Sequence, residues 1–427
     1  MIHRSTPRVL ATQLSEHVGE TVQVAGWLHR HRQLKSIGFL IIRDRSGLTQ
    51  VVLTDPDLRI AEESVLQIRG VVTANSQAPV GVEITKPEIM MLAAAEQAPP
   101  FDLYRPTVPA SLPVLLDQAP VTLRHPQLKA AHALSAAAVA GFRTSLAEQG
   151  FTEIHTPKIV ESATESGANV FTLDWFGRPA YLAQSPQFYK QLMVGVFERV
   201  YETGPVFRAE PHDTARHLAQ YTSLDAEFGF ISDHQDVMIM VRSVVAGMIA
   251  AVAERTAEIE LLDVDVPGVP EVIPQLHFAD AMRMLGKGED TIDLASADER
   301  AISAWAAEEH GSDFIFVTGY PMAKRPFYTH PEPERPAYSN SFDLLFRGLE
   351  LITGGQRLHR YPDYLQALAE RGEPVEPYQG YLSAFAHGMP PHGGFALGLE
   401  RFVARLIGAD NVRLATLFPR DLHRLAP

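Results

Sequence analysis

Residues Phe207–Phe230 read FRAEPHDTARHLAQYTSLDAEFGF. Arg208, Glu210, Arg216, His217, Asp225 and Glu227 fall within this one stretch, interleaved with aromatics. Two cation-rich ends joined by a polar middle suit a strand–loop–strand hairpin. Arg208 has the forked guanidinium that grips a phosphate through two parallel hydrogen bonds. Glu210 has the carboxylate that accepts from an exocyclic amine. Composition alone favours a surface ion-pair network, the usual fate of mixed charge. The stretch gains meaning only from what lies on either side of it.

Two further clusters lie downstream. Ser341–Arg357 reads SFDLLFRGLELITGGQR, with Glu350 three residues before Thr353 and Arg357 four beyond it. A carboxylate beside a hydroxyl suits an octahedral Mg²⁺ that bridges phosphates, and Arg357 suits a substrate carboxylate. Gly393–Arg401 reads GGFALGLER. Its glycines are expected to precede a helix and offer backbone N–H groups to an anion. The common nucleotide signatures are missing: there is neither G-x-x-x-x-G-K-[ST] nor a G-x-G-x-x-G after a strand. A bound nucleotide triphosphate must then be held by arginines and metal. His387 and His392, in HGMPPHGG, read as loop residues near such a site. No third ligand is spaced to make them a metal centre.

Upstream, the first hundred residues read as β-structure. Thr21–Leu28 alternates, Phe39–Arg43 is a short apolar run, and Leu48–Leu53 follows a Ser-Gly turn. Val65–Thr73 and Val82–Met91 supply two more strands, so a five-stranded barrel of the OB type is expected over residues 1–97. Residues 98–125 read as a linker, with five prolines in Ala98–Gln118. A second domain then spans 126–427. It opens with a helix to about Gln149, on which Leu134, Ala138, Phe142 and Leu146 recur every four residues. Strands and helices follow without a repeated βαβ rhythm. The fold class is therefore α+β, with a mostly antiparallel sheet flanked by helices.

Composition bounds the function. At 427 residues the chain is too long for one ordinary core. It has no cysteine, which removes disulfides, thiolate metal sites and cysteine nucleophiles. No run of 18 uninterrupted apolar residues suggests a membrane span, and the N-terminus lacks an apolar signal core. A cytoplasmic protein is expected. The net charge of −14 argues against a nonspecific polyanion binder. Residues 1–50 nevertheless carry seven Lys/Arg against three acids. That asymmetry fits a small nucleic-acid-binding domain on an acidic body, and fits an ordinary surface fluctuation equally well.

Order and spacing together resemble the class II aminoacyl-tRNA synthetases. The FRAE…RH…D…E stretch resembles their motif 2, and ALGLER at Ala396–Arg401 resembles motif 3. The long helix followed by Phe151–Pro157 (FTEIHTP) resembles motif 1. QSPQFYKQ at Gln184–Gln191 and the Ser341–Arg357 stretch resemble the aspartyl-tRNA synthetases. Only about 110 residues separate motif 2 from Ser341, too few for the large insertion of bacterial-type enzymes. The resemblance is to the compact archaeal type.

The resemblance implies a reaction and a site. Aspartate and ATP give aspartyl-adenylate, and the aspartyl group then passes to tRNA. Arg208 is expected at the α-phosphate and Arg216 and His217 at the outer phosphates, with Ala209 and Leu218 beside them. Tyr221 and Arg401 would sandwich the adenine, Glu210 would read its amine, and Gly398, Leu399 and Glu400 would line the site. Glu350 is the expected main Mg²⁺ ligand, assisted by Thr353. Arg208, Glu350 and Arg401 are the expected catalytic residues. For aspartate, the implied residues are Gln187, Phe188, Tyr189, Lys190, Arg208, Asp225, Thr353 and Arg357, with Glu165 on a closing loop. Lys190 and Arg357 would face the side-chain carboxylate and Asp225 the ammonium. Asparagine would leave two cations poorly paired, a penalty of several kcal/mol in a dry pocket. Lys190 thus argues against an asparaginyl-tRNA synthetase, which usually lacks it. Retention of Arg208, Glu350 and Arg401 argues against a paralogue that does not charge tRNA. Two departures stand out. Glu165-Ser166-Gly167 replaces the usual EGG, and Ala219-Gln220 replaces a residue pair ending in Glu.

For the barrel, the resemblance implies that Phe39 stacks on an anticodon base and Gln50 bonds the central uridine. Relatives that insist on tRNA(Asp) resemble one another in a Trp after G-W-x and a Lys in a later loop. This chain has His29 and Pro79 there. Relaxed recognition is expected, with tRNA(Asn) charged as well as tRNA(Asp). A discriminating enzyme is the alternative if other contacts compensate. Relaxed charging would call for a tRNA-dependent amidotransferase downstream. Motif 1 implies a homodimer.

Overall fold

A computed structural model describes residues 8–35, 37–55, 58–161, 169–211, 213–288 and 290–426. The chain divides into two compact units, Met1–His125 and Pro126–Pro427.

The first unit is a closed barrel of β1 (Thr21–Gln33), β2 (Gly38–Arg43), β3 (Leu48–Leu53), β4 (Val65–Ala74) and β5 (Val82–Ala93), in the order β1-β2-β3-β5-β4. Alternation sends Val22, Val24, Leu40, Ile42, Val51 and Ile68 inward, where all are buried. β1 runs five residues beyond the expected Leu28. It continues through a bulge, because Leu28 pairs with Ile42 while Arg30 pairs with Ile41. His29 is the extra residue, so it and Leu28 are buried side by side. The proline-rich segment is more ordered than a linker. It carries short helices at Leu112–Asp117 and Ala119–Thr122, each with proline in its first turn, where a missing N–H costs nothing.

In the second unit the strands are β6 (Thr152–Glu153), β7 (Ile159–Val160), β8 (Thr172–Trp175), β9 (Arg178–Leu182), β10 (Arg199–Phe207), β11 (Gln220–Gly229), β12 (Gln275–His277), β13 (Phe314–Thr318), β14 (Ser341–Phe346), β15 (Leu349–Gln356) and β16 (His392–Gly398). Eight form one sheet, β12-β13-β14-β15-β16-β11-β10-β6, antiparallel except at its two outer pairs. A small sheet β7-β9-β8 stands apart.

The expected long helix spans Pro126–Glu148, and Leu134, Ala138, Phe142 and Leu146 are all fully buried. Burying Phe142 alone contributes roughly 1.5–3 kcal/mol. This helix packs on a second, His234–Ala253, at very close range. A Cβ on Gly141 would lie 2.5 Å from the Gly247 carbonyl. His234–Ala253 is long and apolar enough in composition to cross a membrane. Here Val237, Val241, Val244, Val245 and Met248 lie in the core, and Arg242 donates to the Pro270 carbonyl.

Candidate active site

The site is built on one face of the large sheet. Cross-strand partners form a row: Asp343 of β14 faces Thr353 of β15, Thr353 faces Ala396 of β16, and Ala396 faces Asp225 of β11. Along β11 the period of two puts Ser223, Asp225 and Glu227 on this same face. Glu350 should point the other way, being three residues from Thr353 on a strand. A bulge corrects this. Leu344 pairs with Ile352 and Leu345 with Glu350, so Leu351 is the extra residue. Glu350 thus joins Thr353, and the Thr353 hydroxyl lies 3.3 Å from Glu350 Oε1.

At one end of the row lies a cleft lined by Arg208, Glu210, Arg216, His217, Leu218, Tyr221, Glu350, Thr353, Gly398, Glu400 and Arg401, with Ser223, Ala396 and Val412. The expected hairpin supplies its first half, since β10 and β11 pair from Arg199–Phe228 to Phe207–Gln220. The Arg208 guanidinium stands 5.8 Å from the centre of the Tyr221 ring. A methyl group on Gly398 would lie 3.9 Å from both Tyr221 and Arg401, so Gly398 floors the space between them. Arg401 donates to the Glu350 carbonyl at 3.3 Å and lies 3.6 Å from its carboxylate. Arg216 is held by Glu299 at 3.0 and 3.1 Å. Partial desolvation by the surrounding protein works against ionisation of Glu350, whose side chain still reaches the cleft surface, but Arg401, Arg325, Arg208 and Arg216 outweigh it and hold the carboxyl below its usual range.

At the other end lies a buried charge network. Lys190 Nζ donates to Asp225 at 2.9 Å and to the Phe395 carbonyl at 3.1 Å, and lies 3.4 Å from Glu227. Arg357 Nε donates to Glu227 at 2.9 Å and Nη2 to the Gly394 carbonyl at 3.1 Å. Lys190, Asp225 and Glu227 are at most 1 % exposed. Ser223 lines the cleft and donates to Asp225, which connects the two ends. Lys190 and Gln187 share the buried face of the helix Gln187–Phe197, with Gln187 donating to Gln191 at 3.0 Å.

Glu227 is the residue the sequence reading left without a role. It lies between the two cations, so neither Lys190 nor Arg357 is bare before a substrate arrives. The penalty for binding asparagine is correspondingly smaller than two stranded cations would impose. Of the glycines in Gly393–Arg401, Gly398 does precede a helix, as the N-cap of Leu399–Leu406, while the other two work differently from expectation. Gly393 and Gly394 lie inside β16, so their N–H groups do not face an anion at a helix start. Gly394 is required for space: a Cβ there would lie 2.2 Å from Glu227 Oε2.

Other expected residues sit elsewhere. Phe188 packs among Phe327, Tyr328, Tyr378 and Tyr381, with Tyr381 centred 4.4 Å away. Its role there is packing. Tyr189 is half-buried, and burial raises its hydroxyl pKa. Leu399 belongs to the main core. Glu400 lines the cleft, but its carboxylate accepts from the Thr222 N–H at 2.9 and 3.0 Å. Ala209 donates its N–H to the Asn169 carbonyl. Glu165, Ser166 and Gly167 lie outside the described residues. His392 is not a loop residue by the cleft. It opens β16 fully buried, its Nε2 accepts from Gln191 at 3.0 Å, and its Nδ1 donates to the Pro390 carbonyl. His387 is exposed and bonds the Ser383 carbonyl.

The donor set for a divalent cation is partly built. Glu350 is 41 % exposed and ionised, and Thr353 bonds it. Asp343 faces Thr353 and adds a third oxygen-bearing side chain, held by Arg325 at 2.9 Å. Burial and then Glu350 push the Asp343 carboxyl up, against the pull of Arg325, to about 6. Hard oxygen donors beside an arginine-lined cleft fit Mg²⁺.

On the barrel, Arg32 pairs with Phe39 and Phe39 with Val52, while Arg30 pairs with Ile41 and Ile41 with Gln50. Phe39 and Gln50 therefore share one face with two arginines. Gln50 donates to Glu83 at 2.8 Å, as does Asn75. Pro79 is exposed in the loop between β4 and β5. His29 is only 4 % exposed, with Nδ1 at 2.8 Å from Arg43. Any influence it has on a base passes through its neighbours, among them Arg43 and Tyr104, whose ring centre lies 5.4 Å away.

An antiparallel sheet carrying an arginine-lined cleft, on a chain that also holds a five-stranded barrel, is the architecture of a class II aminoacyl-tRNA synthetase. The family model for tRNA synthetases class II (D, K and N) matches residues 111–422, and that for the OB-fold nucleic acid binding domain matches 22–92. The chain belongs to these class II tRNA synthetases. It is similar to a protein of Thermus thermophilus named aspartate–tRNA(Asp/Asn) ligase, 46 % identical and covering 98 % of this chain and all of that one. A protein of the same name from Deinococcus radiodurans is 45 % identical, with 98 % and 99 % covered. Among solved structures, asparaginyl-tRNA synthetase from Pyrococcus horikoshii complexed with asparaginyl-adenylate superposes with a TM-score of 0.91 at 30 % identity, both chains fully covered.

Proposed function

We propose that this chain is an aspartate–tRNA ligase that charges both tRNA(Asp) and tRNA(Asn). One observation carries the reading. The row Asp343–Thr353–Ala396–Asp225 joins a cleft suited to a nucleotide with a buried network suited to a zwitterion. Names borne by relatives at 46 % and 45 % identity support it.

In the first step an oxygen of the aspartate α-carboxylate attacks the α-phosphorus of ATP. The bond from the α-phosphorus to the α,β-bridging oxygen breaks, and pyrophosphate leaves carrying that oxygen. The nucleophile is already ionised, so no general base is required; positioning and charge neutralisation lower the barrier. Arg208 takes the α-phosphate. Arg216 exchanges or shares Glu299 to meet the outer phosphates beside His217. Tyr221 and Arg401 hold the adenine between a ring and a guanidinium, and Glu210 accepts from its amine. Glu350 and Thr353, with Asp343 behind them, would hold Mg²⁺, which supplies charge neutralisation at the phosphate oxygens. Lys190, Asp225, Glu227 and Arg357 orient aspartate. Nε and Nη2 of Arg357 are engaged, so the Nη1 edge serves the substrate's side-chain carboxylate. In the second step a ribose hydroxyl of the terminal tRNA adenosine attacks the carbonyl carbon, and AMP leaves.

The barrel reads the anticodon through Phe39 and Gln50, with Pro79 offering no donor to insist on one third base. The protein works in the cytoplasm as a homodimer, and a tRNA-dependent amidotransferase converts the Asp-tRNA(Asn). The test is charging with labelled aspartate on separate tRNA(Asp) and tRNA(Asn) transcripts. Comparable charging of both supports the reading. Charging of tRNA(Asp) alone removes the relaxed specificity, and charging of neither removes the ligase. The likeness to an asparaginyl enzyme favours a second reading, which asparagine-dependent ATP–pyrophosphate exchange would reveal.

A further inference from the structure

The nucleotide loop between β10 and β11, described at residues 208–211 and 213–219, is held from outside at Thr214, Ala215 and Ala219 by the segment that follows the helix Leu399–Leu406. Val412 N–H donates to the Ala215 carbonyl at 2.8 Å, and Ala219 N–H donates to the Arg420 carbonyl at 2.7 Å. Between these two backbone ties lies Arg413, whose side chain is 8 % exposed. Its Nη1 donates to the Thr214 carbonyl at 3.1 Å, Nη2 to Asp213 at 3.0 Å, and Nε to Asp421 at 2.6 Å. One guanidinium therefore joins the loop to two points of the C-terminal segment.

Thr214 makes this connection consequential. Its carbonyl is fixed by Arg413, while its hydroxyl bonds His217 Nδ1 at 2.6 Å and accepts from the Arg216 N–H at 3.3 Å. The two residues assigned to the outer phosphates thus hang from a residue that Arg413 holds. A lysine cannot replace it, because a point charge cannot serve three acceptors in a fixed plane.

We infer that Arg413 is a positioning residue for ATP, setting the loop that carries Arg216 and His217 without touching the nucleotide. The inference rests on the reading of that loop as the ATP site. It is tested by aspartate-dependent ATP–pyrophosphate exchange on Arg413→Gln, Arg413→Lys and Asp213→Asn, with KM measured for each substrate. The expected result is an ATP KM about tenfold higher in Arg413→Gln, with the aspartate KM within about twofold of wild type. Arg413→Lys falls between the two. Asp213 is half exposed, so Asp213→Asn keeps the fold and raises the ATP KM alone, by about threefold. A folded Arg413→Gln with an unchanged ATP KM overturns the inference, as does an equal rise in both KM values. If Arg413→Gln does not fold, an unchanged ATP KM in Asp213→Asn overturns it. Absence of exchange in the wild-type enzyme would instead defeat the functional reading beneath it.

Discussion

Glu227 accepts a hydrogen bond from Arg357 Nε at 2.9 Å while its other oxygen lies 3.4 Å from Lys190. One carboxylate therefore lies against both cations assigned to the substrate, although the hydrogen bonds of Lys190 go to Asp225 and the Phe395 carbonyl. Arg357→Lys keeps the charge and loses the fork that serves Glu227 and the substrate together. The aspartate KM should rise about 100-fold while the ATP KM stays within about twofold. Exchange kinetics with each substrate varied in turn would check this, and parallel rises would place Arg357 outside the aspartate pocket.

Glu350 is ionised amid Arg401, Arg325, Arg208 and Arg216. Glu350→Gln removes the carboxylate best placed to hold a cation. Exchange should fall by at least about 100-fold. Mn²⁺ binding in the presence of ATP, followed by electron paramagnetic resonance, should weaken with it. Aspartate binding by calorimetry should be almost unchanged.

His392 is buried and neutral in the fold. Burial lowers its pKa from 6.5 to about 4, the pull of Glu227 notwithstanding. Between those values the unfolded chain binds a proton that the folded chain refuses, so stability is lost as pH falls from about 6.5 to about 4. The loss from this one group is of the order of 3 kcal/mol. His392→Gln should flatten the decline in urea midpoint across that window. His29, also lowered to about 4 by burial, should leave a residual slope.

Pro79 is exposed and donates no hydrogen bond from its backbone nitrogen. Pro79→Lys offers a donor at the position where the resemblance implies one in a discriminating enzyme. The ratio of charging efficiency on tRNA(Asp) over tRNA(Asn) should rise by about tenfold. An unchanged ratio would direct attention to His29 and its partner Arg43.

Much of this was legible in the sequence for a physical reason. Strand alternation exposed the five barrel strands, and four-residue spacing exposed the helix from Pro126. The residues of the cleft could be named because they lie close together on a few segments. What stayed hidden depended on geometry between segments. Glu299 reaches Arg216 from a helix more than eighty residues away, and no local pattern marks it. The Leu351 bulge also escaped, since a three-residue spacing on a strand otherwise separates Glu350 from Thr353. Glu227 was readable in principle: two residues past Asp225, it had to share that strand face.

The buried network contains two cations, Lys190 and Arg357, and two anions, Asp225 and Glu227. Their formal charges cancel, so these four residues together exert no net pull on distant ions. If this network is the aspartate pocket, as proposed, the amino acid is drawn in by the local pattern of charge and not by a long-range field. Added salt should then slow the encounter with tRNA, a polyanion, far more than it weakens the capture of the amino acid.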